Sequence, residues 1–183
     1  MPQGAILSPL FFSIYINDIV NSADADFNLF ADDTSVYVTA KSPEVLQQKL
    51  QDVLDKLCSW FQQWAISVNH SKSAALVLSR KRNLPPLVIH LDGQPRLQAV
   101  SHKHLGLIFN SRLSWSDHVD YIRVKAAKKI GLLRRLRQRL PSTVIRNIYL
   151  SCVRPNLEYA CGVWGGLGKQ DAQRLERLQR SAA

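Results

Sequence analysis

Apolar residues recur at three- and four-residue steps through Leu46, Leu50, Val53, Leu54, Leu57, Phe61 and Trp64, which predicts one long amphipathic helix. Its start is marked by Ser42 as cap, Pro43 as first helical residue and Glu44 near the positive end of the dipole. A second helical pattern covers 116–139, with Val119, Ile122, Ala126, Ile130 and Leu133 on one face. A third follows Pro141 and Ser142, carries Val144, Ile145, Ile148, Tyr149 and Cys152, and is expected to stop at Pro155. Residues 5–20 read as a helix capped by Ser8, with Pro9 in the first turn and an end near Asn17 and Asp18. Gly162, Gly165, Gly166 and Gly168 form a predicted loop, and 170–180 a closing helix.

Between these helices the period shortens. Runs 26–30 and 35–39 read as strands with four residues between them, and Val36 and Val38 alternate with Tyr37 and Thr39. Asp32 and Asp33 therefore fall in or beside a hairpin turn. Residues 66–68 and 75–79 read as strands joined by Asn69-His70-Ser71-Lys72. A strand at 87–91 is turned by Asp92-Gly93 towards 98–100, and 104–109 reads as one more strand. The pattern changes near 112–116, where a mixed part gives way to a helical one. The expected fold is α+β: an antiparallel sheet backed by the 5–20 and 42–64 helices over 1–113, then a helical part over 114–183.

Composition narrows the partners. With 183 residues, 46% hydrophobic and 21% charged, the chain has enough apolar material for one real core with a helical appendage, which excludes wholesale disorder. A formal charge of +10 favours a polyanion. The charge concentrates in one helix: Arg123, Lys125, Lys128, Lys129, Arg134, Arg135, Arg137 and Arg139, against Asp117 and Asp120 at its start. So many cations exceed what solubility needs and point to phosphates. Cys58, Cys152 and Cys161 match no disulfide framework or zinc spacing and read as reduced thiols of an intracellular protein, nuclear or cytoplasmic. No signal peptide is visible, and the longest apolar stretch, 10–16, is too short for a bilayer, so no membrane partner is expected. His102 and His104 share a strand face, but no histidines form a metal-like pair on a helix.

The sharpest chemistry lies in Phe30-Ala31-Asp32-Asp33. An isolated Asp-Asp pair is usually a solvated turn. Two carboxylates crowded at a hairpin tip beside a phosphate-binding surface also suit Mg²⁺, which takes one or two carboxylates plus substrate phosphates.

The surrounding motifs decide between these readings. Pro2-Gln3-Gly4-Ala5-Ile6-Leu7-Ser8-Pro9-Leu10-Phe11-Phe12 resembles motif B of reverse transcriptases, and Phe30-Ala31-Asp32-Asp33 resembles motif C. Asn69-His70-Ser71-Lys72-Ser73 is similar to motif D. His104-Leu105-Gly106-Leu107-Ile108 is similar to motif E, the primer grip, followed by Leu113-Ser114-Trp115 and His118 as in the non-LTR retrotransposon group. The order B, C, D, E, thumb is kept along nearly the whole chain.

The resemblance implies an RNA-directed DNA polymerase with a partial palm and a thumb, using Mg²⁺ or Mn²⁺, deoxynucleoside triphosphates, an RNA template and a DNA primer. It makes Asp32 a metal ligand with Asp33 its partner, and Lys72 a group that neutralises or protonates the departing pyrophosphate. Gln3, Gly4, Phe30 and Ala31 would shape the nucleotide pocket. Leu105 and Gly106 would meet the primer, and Arg123, Lys125, Lys128, Lys129, Arg134 and Arg135 the duplex backbone. Because the chain opens inside motif B, the motif A aspartate, the fingers and any endonuclease are expected to lie outside it. A chain so limited is expected to bind nucleic acid without polymerising alone. A recruited interaction module with no nucleic-acid role fits the retained Asp32 and Asp33 less well.

Overall fold

Pro9 lacks an N–H and tolerates the first turn of a helix, and it sits there in helix α1, Ser8–Tyr15, of the computed structural model, which describes residues 4–79, 81 and 84–181. The cap position belongs to Leu7 rather than Ser8, and no side chain caps it. The expected single helix to residue 20 ends early, tightening into a 3₁₀ turn over Asn17–Asn21. Residues three apart eclipse in such a turn, so Ile16 and Ile19 both face the core.

Strand β1, Asp26–Phe30, pairs antiparallel with β2, Asp33–Tyr37. β2 starts at Asp33 rather than at 35, because a two-residue turn suffices to close the hairpin. Helix α2, Pro43–Gln63, starts as its sequence dictates: Ser42 Oγ accepts from the Val45 N–H at 3.4 Å. The Glu44 carboxyl is held below its usual range by its own backbone N–H and by Ser42. Val53, Leu57 and Trp60 bury the α2 stripe against Ile16 and Ile19, with Phe12, Tyr15, Phe27, Val36 and Val38 packed around them. Tyr15 adds a hydrogen bond from its hydroxyl to the Trp64 carbonyl and an edge contact between the rings at 5.3 Å.

Strand β3, Val88–Leu91, pairs with β4, Gln94–Leu97, through Asp92-Gly93, whose φ values of +52° and +72° suit a tight hairpin. That turn fixes the register, so the partner of β3 lies at Gln94–Leu97 instead of 98–100. Gln51 on α2 closes two bonds with the β3 backbone, accepting from His90 N–H at 2.7 Å and donating to its carbonyl at 2.9 Å. The expected strands at 66–68 and 75–79 do not pair with each other; among the described residues, Ala75 alone bridges, to Gln98. Apolar content extends a chain, but a strand also needs a partner edge in register.

A second compact unit comprises Leu78, Ser79 and the chain from Val100 on, whereas the first holds the chain to Val77 with Lys81–Ala99. In the second unit the expected single strand at 104–109 is broken into β5, Ser101–His104, and β6, Leu107–Asn110, by a turn at Leu105 and Gly106. β6 packs on helix α3, Ser116–Leu136. Val119, Ile122, Ala126, Ile130 and Leu133 are all buried, as their spacing predicts.

Pro155 does not stop the next helix. Helix α4, Ser142–Ile148, widens into a π turn over Tyr149–Val153 and runs on as α5, Arg154–Glu158. A proline ring collides with the carbonyl four residues back in a regular helix, and the wider turn gives it room. Gly162 lies within a short helix, α6, Cys161–Trp164, and α7 spans Lys169–Arg180. Arg174 on α7 pairs with Asp120 on α3 and with Asp171. Ala126, Ile130, Leu133, Val153 and Leu157 form one core cluster; Leu107, Ile122 and Trp164 form another.

The mixed α+β class therefore holds, but the sheet is not continuous: the described strands make three separate two-stranded hairpins. Cys58, Cys152 and Cys161 are unpaired thiols. Among the described residues no helix is long and apolar enough to cross a membrane.

Candidate metal and nucleic-acid site

The β1–β2 turn consists of Ala31 and Asp32, flanked by the Phe30–Asp33 pair. Ala31 takes φ +51°, a left-handed conformation that costs a residue with a Cβ roughly 1–2 kcal/mol. Phe27 and Val36 occupy the core-facing side, and side chains alternate along a strand. Asp33 therefore shares the opposite side with Phe30, Asn28 and Ser35. Both carboxylates are exposed. Among the described residues neither makes an ion pair with a cation. Two adjacent, uncompensated carboxylates at a tip fit a hard divalent cation that fills its remaining positions with water and phosphate. They do not make a cage: among the described residues no group of three or more His, Cys, Asp or Glu gathers to hold a metal.

Gly4 is exposed at φ +90° just before α1, as a turn entering a helix requires. Gln3 lies outside the described residues. α1 presents Leu10, Phe11 and Ile14 to solvent, and Phe30 at the hairpin is 63% exposed.

Lys72 is exposed on a turn that Asn69 builds. The Asn69 Oδ1 accepts from Ser71 Oγ at 2.7 Å and from the Lys72 N–H at 3.3 Å, while its carbonyl accepts from Ser73 N–H at 3.1 Å. The spacing Asn-x-x-Lys thus has a local cause: the amide side chain closes the turn that carries the lysine. No bond joins Lys72 to Asp32 or Asp33 among the described residues.

In the second unit Leu105 and Gly106 form the β5–β6 turn, at φ +46° and +83°. The cations of α3 divide by occupation. Lys129 Nζ donates to the Cys152 carbonyl at 2.8 Å and Arg134 to the Ser181 carbonyl at 2.5 Å, so both tie later helices to α3. Arg123 pairs loosely with Asp120 at 3.4 Å. Lys125, Lys128 and Arg135 make no such bond among the described residues. A groove of about 710 Å³ runs along this face, lined by Asp120, Tyr121, Val124, Lys125, Lys128 and Lys129.

Two residues absent from the expected set belong to this face. Lys103 on β5 donates to Tyr121 Oη at 2.9 Å and stands 4.6 Å from its ring centre, with Lys125 Nζ at 5.9 Å. The Lys103 bond pulls the phenol below its ordinary range against an opposing effect of burial, with lesser help from the charges of Lys103 and Lys125. No one-dimensional signal joins Lys103 to Tyr121, because the hairpin turn between them was not visible.

His118, on the first turn of α3, is buried. Its Nδ1 accepts from the Ile108 N–H at 3.3 Å, and its ring packs edge-on against Trp164 at 5.4 Å. Burial lowers its pKa below the ordinary imidazole range.

With this geometry in place, comparison with known proteins identifies the frame. Residues 1–122 match the family described as reverse transcriptase (RNA-dependent DNA polymerase). The chain belongs to the reverse transcriptase family. It is 29% identical, over its whole length, to the probable RNA-directed DNA polymerase from transposon X-element of Drosophila melanogaster. Over 98% of its length it is 27% identical to the RNA-directed DNA polymerase from mobile element jockey of the same fly. A Pol polyprotein from type-1 retrotransposable element R1 of Bradysia coprophila is 25% identical over 89% of the chain. The chain spans 21% of the length of the first two relatives. No solved structure matches it. The family to which the motifs pointed is thus the family found, of the non-LTR retrotransposon kind.

Proposed function

We propose that the chain supplies part of the palm, over 1–113, and the thumb, over 114–183, of an RNA-directed DNA polymerase. The observation that carries this reading is the exposed Asp32 and Asp33 at the β1–β2 hairpin tip, making no ion pair among the described residues, within a reverse-transcriptase match. Asp32 is the metal ligand and Asp33 its partner. Mg²⁺ or Mn²⁺ held there would stabilise the attacking primer oxygen and the leaving pyrophosphate. The protein's own share is positional: the β1–β2 turn fixes the carboxylates, and Gln3, Gly4, Phe30 and Ala31 shape the nucleotide pocket. Lys72 meets the departing pyrophosphate.

The β5–β6 turn at Leu105 and Gly106 contacts the primer strand. Lys125 and Lys128, with Arg123 and Arg135, follow the duplex phosphates in a sequence-tolerant way. Lys129 and Arg134 border that surface while holding α3 to the later helices. RNA template, DNA primer and deoxynucleoside triphosphates are the partners, in the nucleus or cytoplasm.

A second reading is favoured by the absence, among the described residues, of a third ligand beside Asp32 and Asp33. On that reading the 183-residue chain binds template and primer but does not extend them unaided, because a two-metal centre needs a further carboxylate. Primer extension on an RNA template with Mg²⁺ tests both. The chain alone should bind without extending, whereas a polymerase carrying this segment should extend and lose extension on Asp32→Asn. Extension that survives Asp32→Asn would overturn the assignment of Asp32.

A further inference from the structure

The turn at Leu105 and Gly106 is held from a distant part of the chain. Tyr159 Oη donates to the Leu105 carbonyl at 3.0 Å. Its ring covers Gly106 so closely that a Cβ there would lie 3.0 Å from a ring carbon. The Tyr159 carbonyl accepts from Trp164 Nε1 at 2.7 Å, and buried Trp164 packs on His118. His118 in turn accepts from Ile108 in β6. The hairpin is thus bonded once at its turn and once along its strand, and the two anchors meet at Trp164.

This arrangement does little for global stability. Tyr159 is 55% exposed, and the Leu105 carbonyl beside it could be satisfied by water, so the net gain from the bond is small. What the bond does fix is the direction of a turn in which Leu105 and Gly106 both have positive φ. The reverse-transcriptase match ends at residue 122, so the residues that fix this turn lie beyond the segment that carries it.

We infer that Tyr159 is a positioning residue that sets the Leu105-Gly106 turn against the primer terminus, so that this hairpin works only together with the segment through Trp164. The inference rests on reading the β5–β6 turn as the primer contact. Gly106 has a reason to be glycine beyond its φ: the Tyr159 ring occupies the space a side chain would need.

The test uses the whole chain, wild type and Tyr159→Phe, which keeps the ring and removes the donor. Two quantities are read: amide hydrogen exchange at Gly106 and Leu107, and affinity for an RNA–DNA duplex with a recessed primer 3′ end against a blunt duplex. Loss of one exposed hydrogen bond should speed exchange at the turn about fivefold. The same variant should lose most of the preference for the recessed end, with blunt-duplex binding and exchange within α3 unchanged. Turn exchange equal to wild type would overturn the inference, as would faster exchange with the end preference intact. A wild type that binds both duplexes alike would instead overturn the primer reading of the hairpin, a failure visible before the variant is made.

Discussion

His118 accepts a hydrogen bond from the Ile108 N–H through Nδ1, joining the first turn of α3 to strand β6 beside the bond from Asn110 to Asp117. The neutral ring must carry its proton on Nε2, which is buried and has no partner among the described residues. Protonation of Nδ1 would therefore break the bond to Ile108 and bury a charge together.

Stability should follow that titration. Burial lowers the folded-state pKa of His118, so the unfolded chain binds the proton first as pH falls. The contribution is complete above the unfolded value of about 6.5 and is lost as pH falls from there through the lower folded value. Thermal melts of the chain between about pH 7.5 and 5 should show this loss. His118→Phe should be less stable at neutral pH by roughly 1–3 kcal/mol, since Ile108 N–H loses its acceptor, and should show a flatter pH dependence. An unchanged slope in the variant would assign the pH response to other groups.

The turn that carries Asp32 stores a small strain. Ala31 sits at φ +51°, where glycine pays no Cβ penalty. Ala31→Gly should stabilise the chain by roughly 0.5–1 kcal/mol in urea denaturation, the relief of the clash less the added backbone entropy. A loss of stability would show that Ala31 makes contacts worth more than its strain.

The cations of α3 should separate into two kinds. Lys125→Ala and Lys128→Ala should each weaken duplex binding and reduce the salt slope by roughly one. Lys129→Ala should instead lower thermal stability, since its ammonium donates to the Cys152 carbonyl within the π turn. Equal salt slopes for Lys125→Ala and wild type would remove that lysine from the phosphate-binding face.

How much of this was legible follows from the range of each interaction. The α2 and α3 stripes were readable because helix periodicity is local, and Val119, Ile122, Ala126, Ile130 and Leu133 are buried as spaced. The Ala31-Asp32 turn was bracketed by the alternation of Val36 and Val38. The Leu105-Gly106 turn was hidden: an apolar run from 104 to 109 reads as one strand unless the backbone is known to reverse. With that reversal unseen, the Lys103–Tyr121 and Tyr159–Leu105 contacts had no sequence signal. The strands expected at 66–68 and 75–79 failed for a different reason, since pairing depends on which edges are free. Pro155 misled because the π turn that accommodates it leaves no mark in residue type.

We propose that Asp32, at the tip of the β1–β2 hairpin, binds the catalytic divalent ion. Mn²⁺ titration of the isotopically labelled chain, followed by paramagnetic broadening of backbone amides, measures this without requiring turnover. Broadening should centre on Ala31, Asp32 and Asp33, be displaced by Mg²⁺ and be lost in Asp32→Asn. Broadening centred elsewhere, or unchanged in Asp32→Asn, would contradict this assignment.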